Sequence, residues 1–214
     1  MLSPRRSDEN YFNAEIAREL DYNFIAFQQQ VAAFVPQLLP EQSQVFHQVL
    51  RKIESGNSTL FFLDAPGVTG KTFLLNLLLM SIRKDQKIAV VVASSGIVAT
   101  LLNVGCTAYS VSKLPLNLAQ EDSPICNFSK NSSRSRMLRQ CKLLMWDEST
   151  MSHKIAIEAS NRTLQDLRDS THIIEGVVVV LAGDFRQTQP VIQRGTPTDE
   201  IKALSLWDFL GKLL

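Results

Sequence analysis

The sequence predicts an α/β fold in which a parallel β-sheet is flanked by helices. Four short apolar runs, rich in β-branched or aromatic residues, alternate along the chain with segments of helical periodicity. Two of these runs, residues 87–93 and 176–182, are nearly continuous stretches of Val, Ile, Leu and Ala. Such runs are typical of strands that are buried on both faces of a parallel sheet. We therefore expect an α/β domain whose strands are linked by helical crossovers.

The predicted elements run from an N-terminal arm into a single domain. Residues 1–37 are predicted to form the arm, which is partly helical because apolar residues recur at helical spacing over residues 15–27. The domain, residues 38–214, begins with an amphipathic helix over residues 41–53. Strands are predicted at residues 60–63, 87–93, 142–146 and 176–182, and further helices at residues 72–83, 97–102 and 154–168. The polar stretch 117–136 is predicted to be a solvated loop, with a groove wall for a phosphate backbone as the alternative.

The first predicted strand leads into a phosphate-binding loop. The loop reads Ala65-Pro66-Gly67-Val68-Thr69-Gly70-Lys71-Thr72, and Phe73 follows it in an apolar helix. A strand, a loop and a helix N-terminus in this order bind phosphate, because backbone N–H groups and the positive end of the helix dipole point at the anion. Lys71, a predicted catalytic residue, is expected to reach the β- and γ-phosphates of ATP, and the Thr72 hydroxyl to ligate Mg²⁺. We predict that residues 65–73 bind the nucleotide.

Two positions of the loop depart from the usual Gly-x-x-x-x-Gly-Lys-Ser/Thr pattern. Ala65 replaces the first glycine, and Val68 occupies a position that is often glycine in such loops. If the backbone at Val68 needs a positive φ angle, its β-branched side chain costs about 1–2 kcal/mol. We therefore predict an intact loop architecture with weak Mg-ATP binding.

Polar residues at the ends of two later strands complete the predicted site. Asp147 and Glu148 follow the third apolar run, and Gln187 comes shortly after the fourth. Because the carboxyl ends of parallel strands lie at one edge of the sheet, these residues are expected near the phosphate loop. We predict that Asp147 holds Mg²⁺, that Glu148 deprotonates the attacking water, and that Gln187 senses the γ-phosphate. Asp184 and Arg186 are expected to fix the loop that carries Gln187.

The composition narrows the range of partners. Of the 214 residues 45% are hydrophobic and 20% charged, and the formal net charge is +1, so DNA binding by the chain alone is expected to be weak. The longest apolar run, around Phe73 to Met80, is interrupted by Asn76 and is too short to span a membrane, so no membrane partner is expected. Three scattered cysteines without metal-ligand spacing favour a reducing, intracellular compartment.

Four segments, taken in order, resemble the Pif-type ATP-dependent DNA helicases. These segments are Phe61–Thr72, Ala93–Leu102, Trp146–Glu148 and Gly183–Gln187. The family belongs to superfamily one, is related to RecD and includes the helicase region of Helitron transposons. The resemblance covers about residue 38 to the C-terminus. It implies a RecA-like P-loop NTPase domain that couples ATP hydrolysis to DNA unwinding.

The resemblance also implies roles for residues outside the phosphate loop. Gln42 resembles the glutamine that reads adenine in the family. The Ser94-Ser95-Gly96 segment and, farther along the chain, Thr107 and Tyr109 resemble two segments along which single-stranded DNA lies, although the family usually has His where Tyr109 stands. The family is one of 5′–3′ DNA helicases that use ATP and Mg²⁺ in DNA repair, recombination and telomere maintenance. It implies a location in the nucleus or the mitochondrion.

Helicases of this family carry a second RecA-like domain with arginine fingers and half of the DNA track. The last segment, residues 206–214, lies close to where the first domain is expected to end. We therefore expect the second domain to be absent and ATP turnover by this chain alone to be slow. Two alternatives remain open from the residues. One is a P-loop small-molecule kinase with residues 117–136 as its lid, and the other is a non-catalytic nucleotide-binding fragment.

Overall fold

The computed structural model describes residues 23–94, 106–107, 130, 132–152, 154–170, 176–184 and 186. The strands within these ranges are β1 (Thr59–Asp64), β2 (Ile88–Ala93), β3 (Cys106–Thr107), β4 (Cys141–Asp147) and β5 (Val178–Gly183). The α-helices are α1 (Phe24–Phe34), α2 (Pro40–Glu54), α3 (Lys71–Arg83), α4 (Ser133–Gln140) and α5 (Lys154–Arg168). Short 3₁₀ turns cover Val35–Gln37 and Ser149–Met151. The predicted α/β fold is confirmed.

The strands form one parallel sheet in the order β1-β5-β4-β2-β3. Asp64 at the end of β1 is in register with Gly183 at the end of β5, and Ala93 at the end of β2 is in register with Asp147 of β4. Because β4 and β5 also pair in parallel, the carboxyl ends of these four strands meet at one edge of the sheet. This is the edge at which an open parallel sheet binds its ligands.

Alternate strand residues fill two apolar layers, one on each face of the sheet. Val91 of β2 packs in the layer that contains α2 and α3, where Leu78 is fully buried. Val92 and Trp146 belong to the other layer, with Leu164 of α5. Successive strand residues point to opposite faces, so the continuous apolar runs of the sequence supply both layers. Across the described ranges, no helix is long and apolar enough to cross a membrane.

Most predicted elements are present with ends shifted by a residue or two, and α5 has the predicted bounds. The predicted N-terminal helix is covered only in part, since residues 15–22 lie outside the described residues. The described helix α1 runs from Phe24 to Phe34 and so continues past the predicted end at residue 27. The Asn23 side chain accepts a hydrogen bond from the Ala26 N–H at 3.1 Å and so caps the helix at this point. The helix predicted at residues 97–102 lies outside the described residues.

The polar stretch 117–136 was wrongly predicted to be a loop throughout, since its last four residues begin α4. The Ser132 hydroxyl accepts a hydrogen bond from the Ser135 N–H at 3.2 Å, so a serine that suggests a loop acts as a helix cap. Lys130 pairs with Asp166 of α5 at 2.7 Å. Within the described part of the stretch, this lysine therefore binds α5 instead of lining an open groove.

Gly183, the last residue of β5, packs against the turn that follows β4. Ser149 and Thr150 in this turn donate side-chain hydrogen bonds to the main-chain oxygens of Ala182, at 3.1 Å, and Asp184, at 3.4 Å. A Cβ atom at Gly183 would lie 2.7 Å from the Thr150 methyl carbon. The close approach of β5 to this turn therefore requires glycine.

Gly183→Ala is expected to lower the free energy of unfolding by about 1–3 kcal/mol, because the added methyl group forces the Thr150 side chain away. Urea unfolding followed by circular dichroism measures the loss. Thr150→Ala removes the atoms that the new methyl group strikes. The double variant should therefore recover part of the loss, and strictly additive losses would contradict this packing.

Candidate functional site

The loop between β1 and α3 is tied to both the sheet and itself. The Ala65 N–H donates to the Gly183 main-chain oxygen at 3.0 Å, which fixes the start of the loop beside β5. The Thr69 hydroxyl donates to the Pro66 main-chain oxygen at 2.7 Å. Gly70 adopts a left-handed conformation with φ 78° immediately before α3. The loop therefore delivers the unpaired N–H groups of the first helical turn to the carboxyl edge of the sheet, as in sites that bind phosphate.

Lys71, the first residue of α3, extends across the sheet edge to the end of β4. Its Nζ atom donates a hydrogen bond to Glu148 Oε1 and lies 3.5 Å from Asp147 Oδ1. The three side chains are nearly buried, with exposed fractions of 9% for Lys71, 2% for Asp147 and 14% for Glu148. The fold thus brings together the residues that the sequence assigned to the phosphates, the metal ion and the water.

Two carboxylates and one ammonium group share this poorly hydrated position. Burial raises the pKa of Asp147 above its ordinary value, and the Lys71 ammonium group opposes part of that rise. Glu148 Oε2 is buried and accepts no hydrogen bond from the described residues. The cluster therefore has one formal negative charge in excess and a carboxylate oxygen free to accept a hydrogen bond. These properties fit a hard divalent cation and a bound water molecule.

The backbone of Glu148 is held in a left-handed conformation, with φ 51° and ψ 41°. Its N–H donates to Asp147 Oδ1 at 2.9 Å. Its main-chain oxygen accepts hydrogen bonds from the Met151 N–H at 3.0 Å and from the Ser94 hydroxyl at 2.5 Å. A residue other than glycine adopts this conformation only where its surroundings hold it.

The sequence profile of the PIF1-like helicase family matches residues 37–212. The chain belongs to this family. An ATP-dependent DNA helicase Pif1 from Psychrobacter sp. (strain PRwf-1) is 31% identical over 134 residues, which are 63% of this chain and 20% of the relative. The chain thus spans a fifth of the length of this curated relative.

Solved Pif1 structures have the same fold. The crystal structure of Pif1 helicase from Candida albicans matches with a TM-score of 0.60 and 29% identity, over 72% of this chain and 34% of that one. A Pif1 helicase from Bacteroides in complex with ADP-AlF3 and ssDNA matches with a TM-score of 0.54 and 25% identity, over 77% of this chain and 35% of that one. The sheet described above is therefore the RecA-like domain of a PIF1-like helicase, and membership of this family favours a helicase over a small-molecule kinase.

In this PIF1-like chain, a cleft of about 260 Å³ opens between α2 and the phosphate loop. Gln42 lines the cleft, and its Nε2 atom donates to the Thr69 main-chain oxygen at 2.8 Å. Its Oε1 atom accepts a hydrogen bond from the Leu39 N–H at 3.1 Å. The first bond uses one of the two N–H groups of the amide, and the second uses one of the two lone pairs of its oxygen. One N–H and one lone pair therefore remain for a ligand. A Cβ atom at Gly70 would lie 2.8 Å from Gln42 Nε2, so a larger residue there would displace the Gln42 amide from its contact with the loop.

The other predicted nucleotide residues lie in the first turn of α3. Thr72 is its second residue, on the turn that faces the loop. The ring of Phe73 packs edge-on against Phe34 of α1, with the ring centroids 5.8 Å apart. The Phe73 side chain thus anchors α1 to α3, and the residue has its backbone N–H to offer to a phosphate.

The residues predicted to contact DNA are described only in part. The Ser94 hydroxyl is bonded to Glu148 and to Ser152, so it points toward the turn that follows β4. Thr107 lies in β3, in register with Ala93. Outside the described residues lie Ser95, Gly96, Tyr109 and Gln187.

Asp184 and Arg186, which were expected to fix the loop after β5, bond to each other, and the rest of that loop lies outside the described residues. Asp184 Oδ1 accepts hydrogen bonds from the Arg186 N–H at 2.9 Å and from its Nε atom at 3.3 Å. Sequence reasoning missed a hydrogen bond on the other side of the site, from the Trp146 indole to Ser152 at 3.0 Å. A buried tryptophan needs an acceptor for its N–H, which was the available signal, but nothing in the sequence identified Ser152 as that acceptor.

Val68 has the positive φ angle that the sequence placed in question, at 69°, and its side chain is fully exposed. Val68→Gly is therefore expected to raise the free energy of unfolding by about 1 kcal/mol, because the strain of a β-branched residue in this region exceeds the entropy that glycine adds to the unfolded chain. Thermal unfolding without nucleotide measures the gain.

Val68→Ala is the matched control, since it removes the branch and keeps the Cβ atom. It should stabilise the chain less than the glycine variant. Equal stability of all three proteins would show that the loop bears no strain at this position.

Proposed function

We propose that the chain is the ATP-binding RecA-like domain of a DNA helicase, and that it hydrolyses ATP to drive the unwinding of DNA. The observation that carries this proposal is the meeting of Lys71 with Asp147 and Glu148 beside the phosphate loop. ATP hydrolysis requires three parts, which are a phosphate-binding loop, a cationic side chain and two adjacent acids.

The cleft beside the loop supports binding of the adenine ring. The free N–H and the free lone pair of Gln42 match an edge of adenine that offers one acceptor and one donor. The triphosphate would extend from this cleft along the loop to Lys71. There the phosphate oxygens compete with Glu148 for the lysine ammonium group. Binding of ATP therefore frees the carboxylate of Glu148 from its ion pair.

Thr72 and Asp147 are the residues that would hold Mg²⁺. Among the described residues, no group of three or more His, Cys, Asp or Glu side chains could hold a metal ion alone. Magnesium sites in such enzymes use one or two protein oxygens and complete their coordination with phosphates and water. When bound, Mg²⁺ neutralises the charge that develops on the phosphate oxygens.

Glu148 is suited to be the general base. With Lys71 drawn to the phosphates, both carboxylate oxygens of Glu148 can accept a hydrogen bond from water. The attacking water transfers its proton to Glu148 as its oxygen bonds to the γ-phosphorus, and the bond to the ADP oxygen breaks. Lys71 stabilises the charge on the transferred group, and Gln187 contributes a donor to the γ-phosphate.

The DNA partner is single-stranded DNA, bound weakly by this chain alone because its net charge is only +1. The Bacteroides relative was solved with ssDNA, which supports this partner. Contacts would come from the segment that begins at Ser94 and from Thr107 and Tyr109. A second RecA-like domain would supply the remaining DNA contacts and the arginine fingers. The biological setting we propose is DNA repair, recombination and telomere maintenance in the nucleus or the mitochondrion.

Lys71→Ala is expected to weaken MgATP binding on the order of 100-fold, because charge-assisted hydrogen bonds to the phosphates are lost. Isothermal titration calorimetry of the purified chain measures this change. Lys84→Ala, at the opposite end of α3, removes the same charge from a partly exposed position and should bind MgATP as the parent does.

Equal affinities for the parent and Lys71→Ala would overturn the proposal. Because the alanine variant leaves two acids buried without a cation, its thermal unfolding is recorded in parallel. Lys71→Met keeps the apolar stem of the side chain and should show the same loss of binding.

A further inference from the structure

A chain of hydrogen bonds lies behind Glu148, on the side away from the phosphate loop. The indole N–H of Trp146 donates to the Ser152 hydroxyl at 3.0 Å, and the hydroxyl oxygens of Ser152 and Ser94 are 2.5 Å apart. The Ser94 hydroxyl donates to the main-chain oxygen of Glu148 at 2.5 Å. The Ser94 oxygen also accepts a hydrogen bond from the Trp146 indole N–H at 3.3 Å. Both the indole and Ser152 therefore donate to Ser94, which donates to Glu148, and bonds in such a series reinforce one another.

This chain of bonds ends on Glu148, whose backbone is left-handed. The other hydrogen bonds of the Glu148 backbone are local, because their partners, Asp147 and Met151, lie on the same turn. The Ser94 bond instead comes from the end of β2, and the Ser94 N–H also donates to the Asp147 main-chain oxygen at 3.3 Å. Among the described contacts, the hydrogen bond from the Ser94 hydroxyl is therefore the one that fixes the Glu148 backbone relative to a neighbouring strand.

We propose that Ser94 and Ser152 are positioning residues for Glu148, and that they set the place of its carboxylate for attack by water on the γ-phosphate. This inference rests on the proposed hydrolysis of ATP. Neither hydroxyl contacts Lys71 in the structure, and neither residue lines the cleft beside the phosphate loop. Loss of either hydroxyl should therefore shift the position of the attacking water and leave the affinity for the nucleotide unchanged.

The test compares two probes on the purified 214-residue chain. The affinity for MgADP measures nucleotide binding alone. The affinity for MgADP with aluminium fluoride also depends on the groups that position the attacking water. Ser94→Ala and Ser152→Ala should bind MgADP within about two-fold of the parent and bind the fluoride complex about ten-fold more weakly, as is common when a supporting hydrogen bond is lost. Calorimetric titration measures both affinities.

Three further variants sharpen the result. Ser94→Thr keeps the hydroxyl and should restore most of the affinity for the fluoride complex. The double variant Ser94→Ala/Ser152→Ala should lose no more than Ser94→Ala alone, because both residues act through one chain of bonds. Ser160→Ala, the matched control, removes a buried hydroxyl that donates within α5 and should leave both affinities unchanged.

Equal weakening of both probes, or no weakening of either, would overturn the inference, since the serines would then be structural or neutral. A parent chain that binds MgADP but gains nothing from aluminium fluoride would also overturn it and leave nucleotide binding intact. A parent chain that binds no MgADP overturns the proposed function, and the inference falls with it. Thermal unfolding of every variant identifies any that fails to fold.

Discussion

The site depends on two nearly buried ion pairs, which Lys71 at the start of α3 forms with the two acids at the end of β4. An ammonium group and two carboxylates removed from water are stable only while they face one another. Their contact therefore fixes the distance between the phosphate loop and the end of β4. In the proposed function, a phosphate that binds Lys71 would release Glu148, so the interaction that orders the site would also restrain the proposed base.

Hydrogen bonds at the carboxyl edge of the sheet also position the turn after β4 and the phosphate loop. The turn after β4 is hydrogen-bonded to β5 through Ser149 and Thr150 and to the end of β2 through Ser94. The phosphate loop is bonded to β5 at Ala65. Polar contacts thus connect the ends of four strands at the carboxyl edge of the sheet, while apolar layers cover its two faces. Glu148 can keep a left-handed backbone because its neighbours on both sides hold it.

The sequence predicted the fold well, because continuous apolar runs and helical periodicity are local signals of parallel strands and crossover helices. It also placed Lys71, Asp147 and Glu148 together, since the ends of parallel strands share one edge. It missed the partner of the Trp146 indole and the start of α4, because the roles of Ser152 and Ser132 depend on contacts rather than on composition. The φ angle of Val68 was a question that only the folded loop could answer.

The exchange of Lys71 from Glu148 to the phosphates is tested most directly by the affinity of Glu148→Gln for MgATP. The glutamine keeps the shape of the side chain and removes the charge that competes for the lysine, so binding should tighten several-fold. Asp64→Asn is the control, because Asp64 is an exposed acid that lines the cleft beside the loop. It should change the affinity much less. Unchanged or weaker binding by Glu148→Gln would contradict the exchange on which this account depends.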